Sequence, residues 1–161
     1  MPAPSASVQD IDEVAAALVA CLPALHRALD RQVGQEFPHP KPPEAQLALL
    51  RHVEAHDGVT VREAAEALRM KPNNVSALVT QMTEQGMLER RQDPADKRIA
   101  HLHLTPTSRE RLAEVTGLMG RHLARAMRAL TDGQRDALGS ALGAFAALTE
   151  LTERAHGGAT R

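Results

Sequence analysis

A chain of 161 residues with a formal net charge of −1 has the size of one compact unit with extensions. Its apolar residues are almost all aliphatic or Met. The only aromatic residues are Phe37 and Phe145, with no Trp or Tyr, which favours helices over a β-sandwich. No apolar run approaches the ~20 residues that span a bilayer, and the charged, Ala-rich start lacks the pattern of a signal peptide. A lone cysteine, Cys21, excludes an internal disulfide and agrees with a reducing, cytoplasmic setting.

Residues 1–6 are small and Pro-rich and read as disordered. Ser7 followed by Asp10 resembles a helix start, after which Ile11, Val14, Leu18, Leu22, Leu25 and Leu29 recur at helical spacing. Pro23 lies inside that pattern and predicts a kink near Val19. The run Phe37-Pro38-His39-Pro40-Lys41-Pro42-Pro43 cannot continue a helix, so residues 7–43 read as one helix and a stiff connector. A short helix follows with Leu49, Leu50 and Val53 on its apolar side, and Asp57-Gly58 turns the chain.

Thr60 and Glu63 form a capping box, in which each side chain takes the other residue's orphan amide. Val61, Ala64, Ala65 and Leu68 then make a two-turn helix. Pro72 is a suitable first residue for the next one, whose inner face is Val75, Leu78, Val79 and Met82 and which Gly86 ends. Two strand-like runs, residues 87–92 and 99–104, are joined by the turn formers Asp93-Pro94-Ala95-Asp96. In the second run Ala100, Leu102 and Leu104 alternate with His101 and His103. Thr105-Pro106 opens a long helix striped with Leu112, Val115, Met119, Leu123, Met127 and Leu130. Thr131 to Gln134 is a second capping box, opening a last helix with Leu138, Leu142, Phe145, Leu148 and Leu151. Residues 157–161 read as a flexible tail.

This order predicts a mainly α protein with a small β-hairpin wing. Residues 44–104 form a winged helix-turn-helix, and long helices in residues 7–43 and 105–156 flank it as dimerisation elements. The helix after Pro72 is the informative one. Its outer face carries Asn73, Ser76, Ala77, Thr80, Gln81 and Glu84, with Asn74 in the first turn. Glu84 is the only acid on a face that usually mixes both signs. Asn and Gln can pair with adenine edges, while Ser and Thr reach bases or phosphates. The helix N-terminus can receive a phosphate, assisted by Lys71. At the hairpin, Lys97 and Arg98 follow Asp96, and a carboxylate two residues before an arginine can preorganise it for a narrow minor groove. The net charge of −1 is no objection, since a phosphate backbone responds to clustering on one face.

The run from Leu78 through Gly86 to Arg90, with the Asp93-Pro94-Ala95-Asp96-Lys97-Arg98 tip and the Leu102-His103-Leu104-Thr105 exit, resembles the MarR family of bacterial transcriptional regulators. The resemblance implies a homodimer built from the first and last two helices, two recognition helices in successive major grooves of a pseudo-palindromic double-stranded operator, and repression. It implies that Asp96 orients Arg98 for the minor groove, and that Arg90 joins the DNA-binding set. Many members carry a basic residue where Ala77 or Gln81 stands, so base preference does not transfer. Independently, aliphatic stripes too long for the winged domain to cover mark association.

The controlling signal is less legible. Cys21 has no Lys or Arg within one helical turn to activate it, and the tyrosines of the family's peroxide-responsive branch are absent, so it reads as a buried structural residue. The zinc-responsive branch has Glu-His after the glutamine where Leu47 and Ala48 follow Gln46, and His122 has Ala126 rather than a ligand four residues on. No metal or cofactor is therefore expected. His101 and His103 could meet metal or phosphate, though solvated wing histidines are the simpler reading. A small molecule in a crevice lined by His26, Arg27 and His52 is the remaining device. No catalytic constellation is visible, so an enzyme is not expected. A helical module that binds only protein is the alternative class.

Overall fold

A computed structural model describes residues 11–157. The expected disorder of residues 1–6, the helix start at Ser7 and Asp10, and the tail from residue 158 onward lie outside these residues. The elements run α1 (Ile11–Glu36), α2 (Glu44–Ala55), α3 (Val61–Ala67), α4 (Pro72–Glu84), β1 (Leu88–Gln92), β2 (Ala100–Leu104), α5 (Pro106–Arg128) and α6 (Asp132–Gly157). The chain forms two compact units, the first reaching Met119 and the second beginning at Gly120. Among the described residues no helix is long and apolar enough to cross a membrane.

In the first unit, α1 is continuous through Pro23, so the proline does not divide the helix. It ends before Pro38, and Lys41 of the connector reaches back to Asp30 and holds its carboxyl below the usual carboxylate range. Of α1 only Val33 is buried. Cys21, expected to be buried, is exposed, and its thiol lies 3.7 Å from the Leu18 carbonyl.

The core lies under α4. Leu49, Val53, Val75, Val79, Met82, Leu88 and Leu102 are each less than 2 % exposed, and Leu112 of α5 packs with them. Every member is aliphatic or Met, as the composition demands. Val75, Val79 and Met82 spend one side of α4 on this core, which leaves its other side outward.

Local chemistry sets the helix ends. Thr60 caps α3 as expected: its amide donates to Glu63 at 2.8 Å and its hydroxyl accepts from the Glu63 amide at 3.3 Å. Both α3 and α4 stop in paired reverse bonds closed by a left-handed residue. After α4, Gly86 (φ 68) donates to Thr83 and Met87 donates to Met82 at 2.8 Å. After α3 the same bonds run from Arg69 to Glu66 and from Met70 to Ala65, with Arg69 at φ 52. Because Met87 is consumed in that turn, β1 begins one residue later than the sequence pattern suggests.

The hairpin pairs antiparallel in the register Leu88↔Leu104, Arg90↔Leu102 and Gln92↔Ala100. The loop before α3 adds a third short segment: Gly58 donates to the Leu102 carbonyl and Leu102 donates to Val59, both at 2.9 Å, and Thr60 bridges His101. Thr105 joins the wing to α5. Its hydroxyl donates to the Gly86 carbonyl at 2.9 Å and accepts from the Ser108 amide at 3.2 Å. On α5, Leu112, Leu118 and His122 are buried while Leu123 is 37 % exposed. The stripe expected at steps of four overshoots the helical period of 3.6, so burial shifts to residues one short of it.

In the second unit the Thr131/Gln134 capping box is formed. Arg135 pairs with Asp132 and donates to the Met127 and Leu130 carbonyls at the end of α5. The α6 residues Leu138, Leu142, Leu148 and Leu151 are exposed.

Met82 has no exposed surface and lies in the aliphatic core. Met82→Ala should lower unfolding stability by about 2–5 kcal/mol, as for other buried truncations, read from the chemical denaturation midpoint. A change under half a unit of kcal/mol would place the core elsewhere.

Candidate nucleic-acid interface

Helix α4 is placed by its buried side, and its register then decides which residues face outward. Asn73, Asn74, Ser76, Ala77, Thr80 and Gln81 are all exposed, as is Lys71 at the N-cap position. The first turn of α4 contains no acid, and Pro72 occupies a position where a missing amide costs nothing. These residues therefore form one outward face that begins at the helix N-terminus.

Arg90 has a more specific position than the sequence suggested. Its Nη2 donates to Thr80 Oγ1 at 2.9 Å and to the Ser76 carbonyl at 3.4 Å. The reason is strand alternation. Arg90 lies directly across from the fully buried Leu102, and directly opposed residues share a sheet face, so its side chain leaves on the side that meets α4. Alternation of Leu88, Arg90 and Gln92 carried that signal in the sequence.

The wing tip is built on carboxylates. Asp93 Oδ1 accepts from the amides of Ala95 and Asp96 at 2.7 and 3.0 Å, an Asx turn that closes the loop. Asp96 Oδ1 in turn accepts from the Arg98 amide at 2.9 Å and from Arg98 Nε at 3.3 Å. The Arg98 side chain is 92 % exposed, so the carboxylate tether holds its guanidinium at Nε while the side chain remains open to solvent. Lys97 beside it is also exposed.

His101 and His103 are not the solvated wing histidines expected from sequence. His103 Nδ1 lies 2.9 Å from Asp57, and His101 lies between two acceptors: Nδ1 is 2.6 Å from the Gly58 carbonyl and Nε2 is 3.0 Å from Asp93 Oδ2. Both ring nitrogens can donate only in imidazolium. The Asp93 carboxylate, then the Gly58 carbonyl, raise the His101 pKa, and His101 with the two turn amides lowers that of Asp93. Asp93 thus anchors the tip to β2 as well as closing it. Gly58 and Asp57 lie 43 and 46 residues before the histidines they meet, beyond the reach of local pattern reading.

The three residues suggested for a ligand crevice are not brought together. His52 lines an open depression with His56, Asp57 and Glu63, where burial and then the neighbouring His56 lower its pKa. Neither His26, which faces Asp30 at 3.8 Å, nor Arg27 lines it. Among the described residues no group of three His, Cys, Asp or Glu side chains is arranged to hold a metal ion.

Helix, turn, helix and a two-stranded wing around one aliphatic core define a winged helix-turn-helix protein. Residues 42–99 match the MarR family. The uncharacterized HTH-type transcriptional regulator YkoM of Bacillus subtilis is 30 % identical over 78 residues, a stretch covering 48 % of this chain and 51 % of that protein. A putative transcriptional regulator of Pseudomonas aeruginosa PA01 is 27 % identical with a TM-score of 0.72, covering 85 % of this chain and 94 % of its own. RV1404 of Mycobacterium tuberculosis shares the fold at 21 % identity and a TM-score of 0.73, covering 89 % and 97 %.

The His101–Asp93 contact has a defined pH window. A raised His101 pKa gives stabilisation that is complete below the ordinary imidazole value and lost as pH rises through the raised one. A lowered Asp93 pKa gives stabilisation present above the ordinary carboxylate value and lost as pH falls through the lowered one. The tip is therefore anchored between these two limits. In an NMR titration the His101 ring should titrate above ordinary histidine, and Asp93→Asn should return it toward that value. Identical titrations in the two proteins would remove the contact.

Proposed function

We propose that this protein is a sequence-specific, double-stranded DNA-binding transcriptional regulator, and a repressor, rather than an enzyme or a module that binds only protein. The observation that carries the reading is the acid-poor, exposed face of α4 beside a wing whose Arg98 is tethered by Asp96. α4 lies in the major groove, with Asn73, Asn74, Ser76, Ala77, Thr80 and Gln81 toward base edges and Lys71 toward phosphate. Lys97 and Arg98 lie at the adjacent minor groove, where a preorganised arginine is favoured.

The working form is a homodimer. Ile11, Leu22 and Leu25 of α1, and Leu142 and Leu151 of α6, are between 46 % and 78 % exposed in the single chain, and apolar stripes of this extent mark association. Two-fold symmetry then sets a pseudo-palindromic operator with half-sites about 10 bp apart. Residues 44–104 are the DNA-binding domain, flanked by dimerisation segments at 7–43 and 105–156. The control reading is a small-molecule effector that favours a conformation with mismatched recognition helices. The depression at His52 is the part of the suggested crevice that supports it; His26 and Arg27 would contribute separately. Its setting is the cytoplasm, with no membrane partner.

Selection of bound genomic fragments, followed by titration at two salt concentrations, tests this reading. Binding should weaken steeply with salt, and absence of binding at low salt would sink it. On the selected operator, Asn74→Ala should cost about 1–3 kcal/mol and relax base choice. Arg98→Ala should weaken binding and remove any preference for a narrow minor groove, whereas unchanged anisotropy titrations would strip Arg98 of that role. Leu142→Glu should convert the dimer to monomer in sedimentation, and a dimer that survives it would move the interface off α6.

A further inference from the structure

We infer that Thr80 reads a thymine through its methyl group, and that Arg90 is the positioning residue that commits it to this role. The inference rests on the DNA-binding reading above and specifies what the centre of α4 recognises. A threonine hydroxyl has one proton to donate and two lone pairs. Here the proton goes to the Ser76 carbonyl at 3.0 Å, and Arg90 Nη2 donates to the oxygen at 2.9 Å. The hydroxyl's donor capacity is spent inside the protein, and a cation stands beside its acceptor. An adenine or thymine acceptor finds no proton there, and Arg90 already takes one of the two lone pairs an amino donor could use.

Apart from that second lone pair, what Thr80 has left to present is Cγ2. Ala77, exposed three residues earlier, adds its Cβ, and residues three apart on a helix are neighbours. Beside Ser76, the middle of an otherwise hydrogen-bonding face therefore holds a pair of methyl groups, between Asn73 and Asn74 at one end and Gln81 at the other. In the major groove the one apolar feature of a base edge is the thymine 5-methyl, which Ala and Thr methyls contact.

Arg90 serves this arrangement without itself contacting DNA. Its place opposite Leu102 sends the guanidinium across to α4, where it is held by Thr80 and Ser76. The wing strand thereby holds the rotamer of a residue on the recognition helix.

The test uses the full-length protein and its selected operator, with each thymine replaced singly by deoxyuridine, which removes only the methyl. One position per half-site should weaken wild-type binding about fourfold, the value of burying one methyl-sized group. Thr80→Val should keep that discrimination. Thr80→Ser, which keeps the hydroxyl, should bind the thymine operator about fourfold more weakly and no longer distinguish uracil at that position. Arg90→Gln should reduce the discrimination while leaving the salt slope unchanged, whereas a phosphate contact would lower the slope by about 1. Wild-type indifference to deoxyuridine at every position, full discrimination by Thr80→Ser, or a lowered slope in Arg90→Gln would each overturn the inference while the regulator reading stands. Failure to select any DNA would instead remove the regulator reading itself.

Discussion

Leu102 is the residue on which the rest of the structure depends. Its side chain has no exposed surface, and its backbone amide and carbonyl bond Val59 and Gly58 rather than β1. One residue therefore joins the wing, the loop before α3 and the core. From its position follow the side of the sheet on which Arg90 departs, the side on which His101 departs, and the contacts that hold the wing against the helices. Antiparallel pairing allows this because a two-stranded ribbon has two free edges, and the α2–α3 loop occupies one of them.

Period and punctuation made most of the fold legible. Val75, Val79 and Met82 announce a one-sided helix, Pro72 its start and Gly86 its end, and the structure agrees to within a residue. The strand ends were less legible for a physical reason. Met87 and Ile99 look like strand residues by type, but the amide of each serves a turn, Met87 bonding Met82 and Ile99 bonding Asp96. The identity of a side chain does not reveal where its backbone amide goes. The candidate site divides the same way. Asp96 and Arg98 are two residues apart, so their contact could be expected locally, while the grip of Asp93 on His101 depends on hairpin register. Arg69 gave no warning, because an arginine in a left-handed turn has no residue-type signature.

The terminal helices pose the opposite problem. Their apolar stripes are plain in the sequence, yet within one chain α1 buries only Val33, and Cys21 is exposed with most of the helix around it. The hydrophobic pattern states that a face must be covered without naming the cover. A core of aliphatic residues and methionine under α4 needs no such cover, because α2, α3, the hairpin and Leu112 supply it.

The left-handed Arg69 has a consequence of its own. Glycine would occupy that backbone conformation with less strain, so the turn between α3 and α4 gives up conformational ease and places a cation there instead. Together with Lys71 two residues later, that arginine makes the approach to α4 electropositive in a chain whose overall charge is slightly negative. The turn therefore carries a cation at a backbone position where glycine would be easier to place.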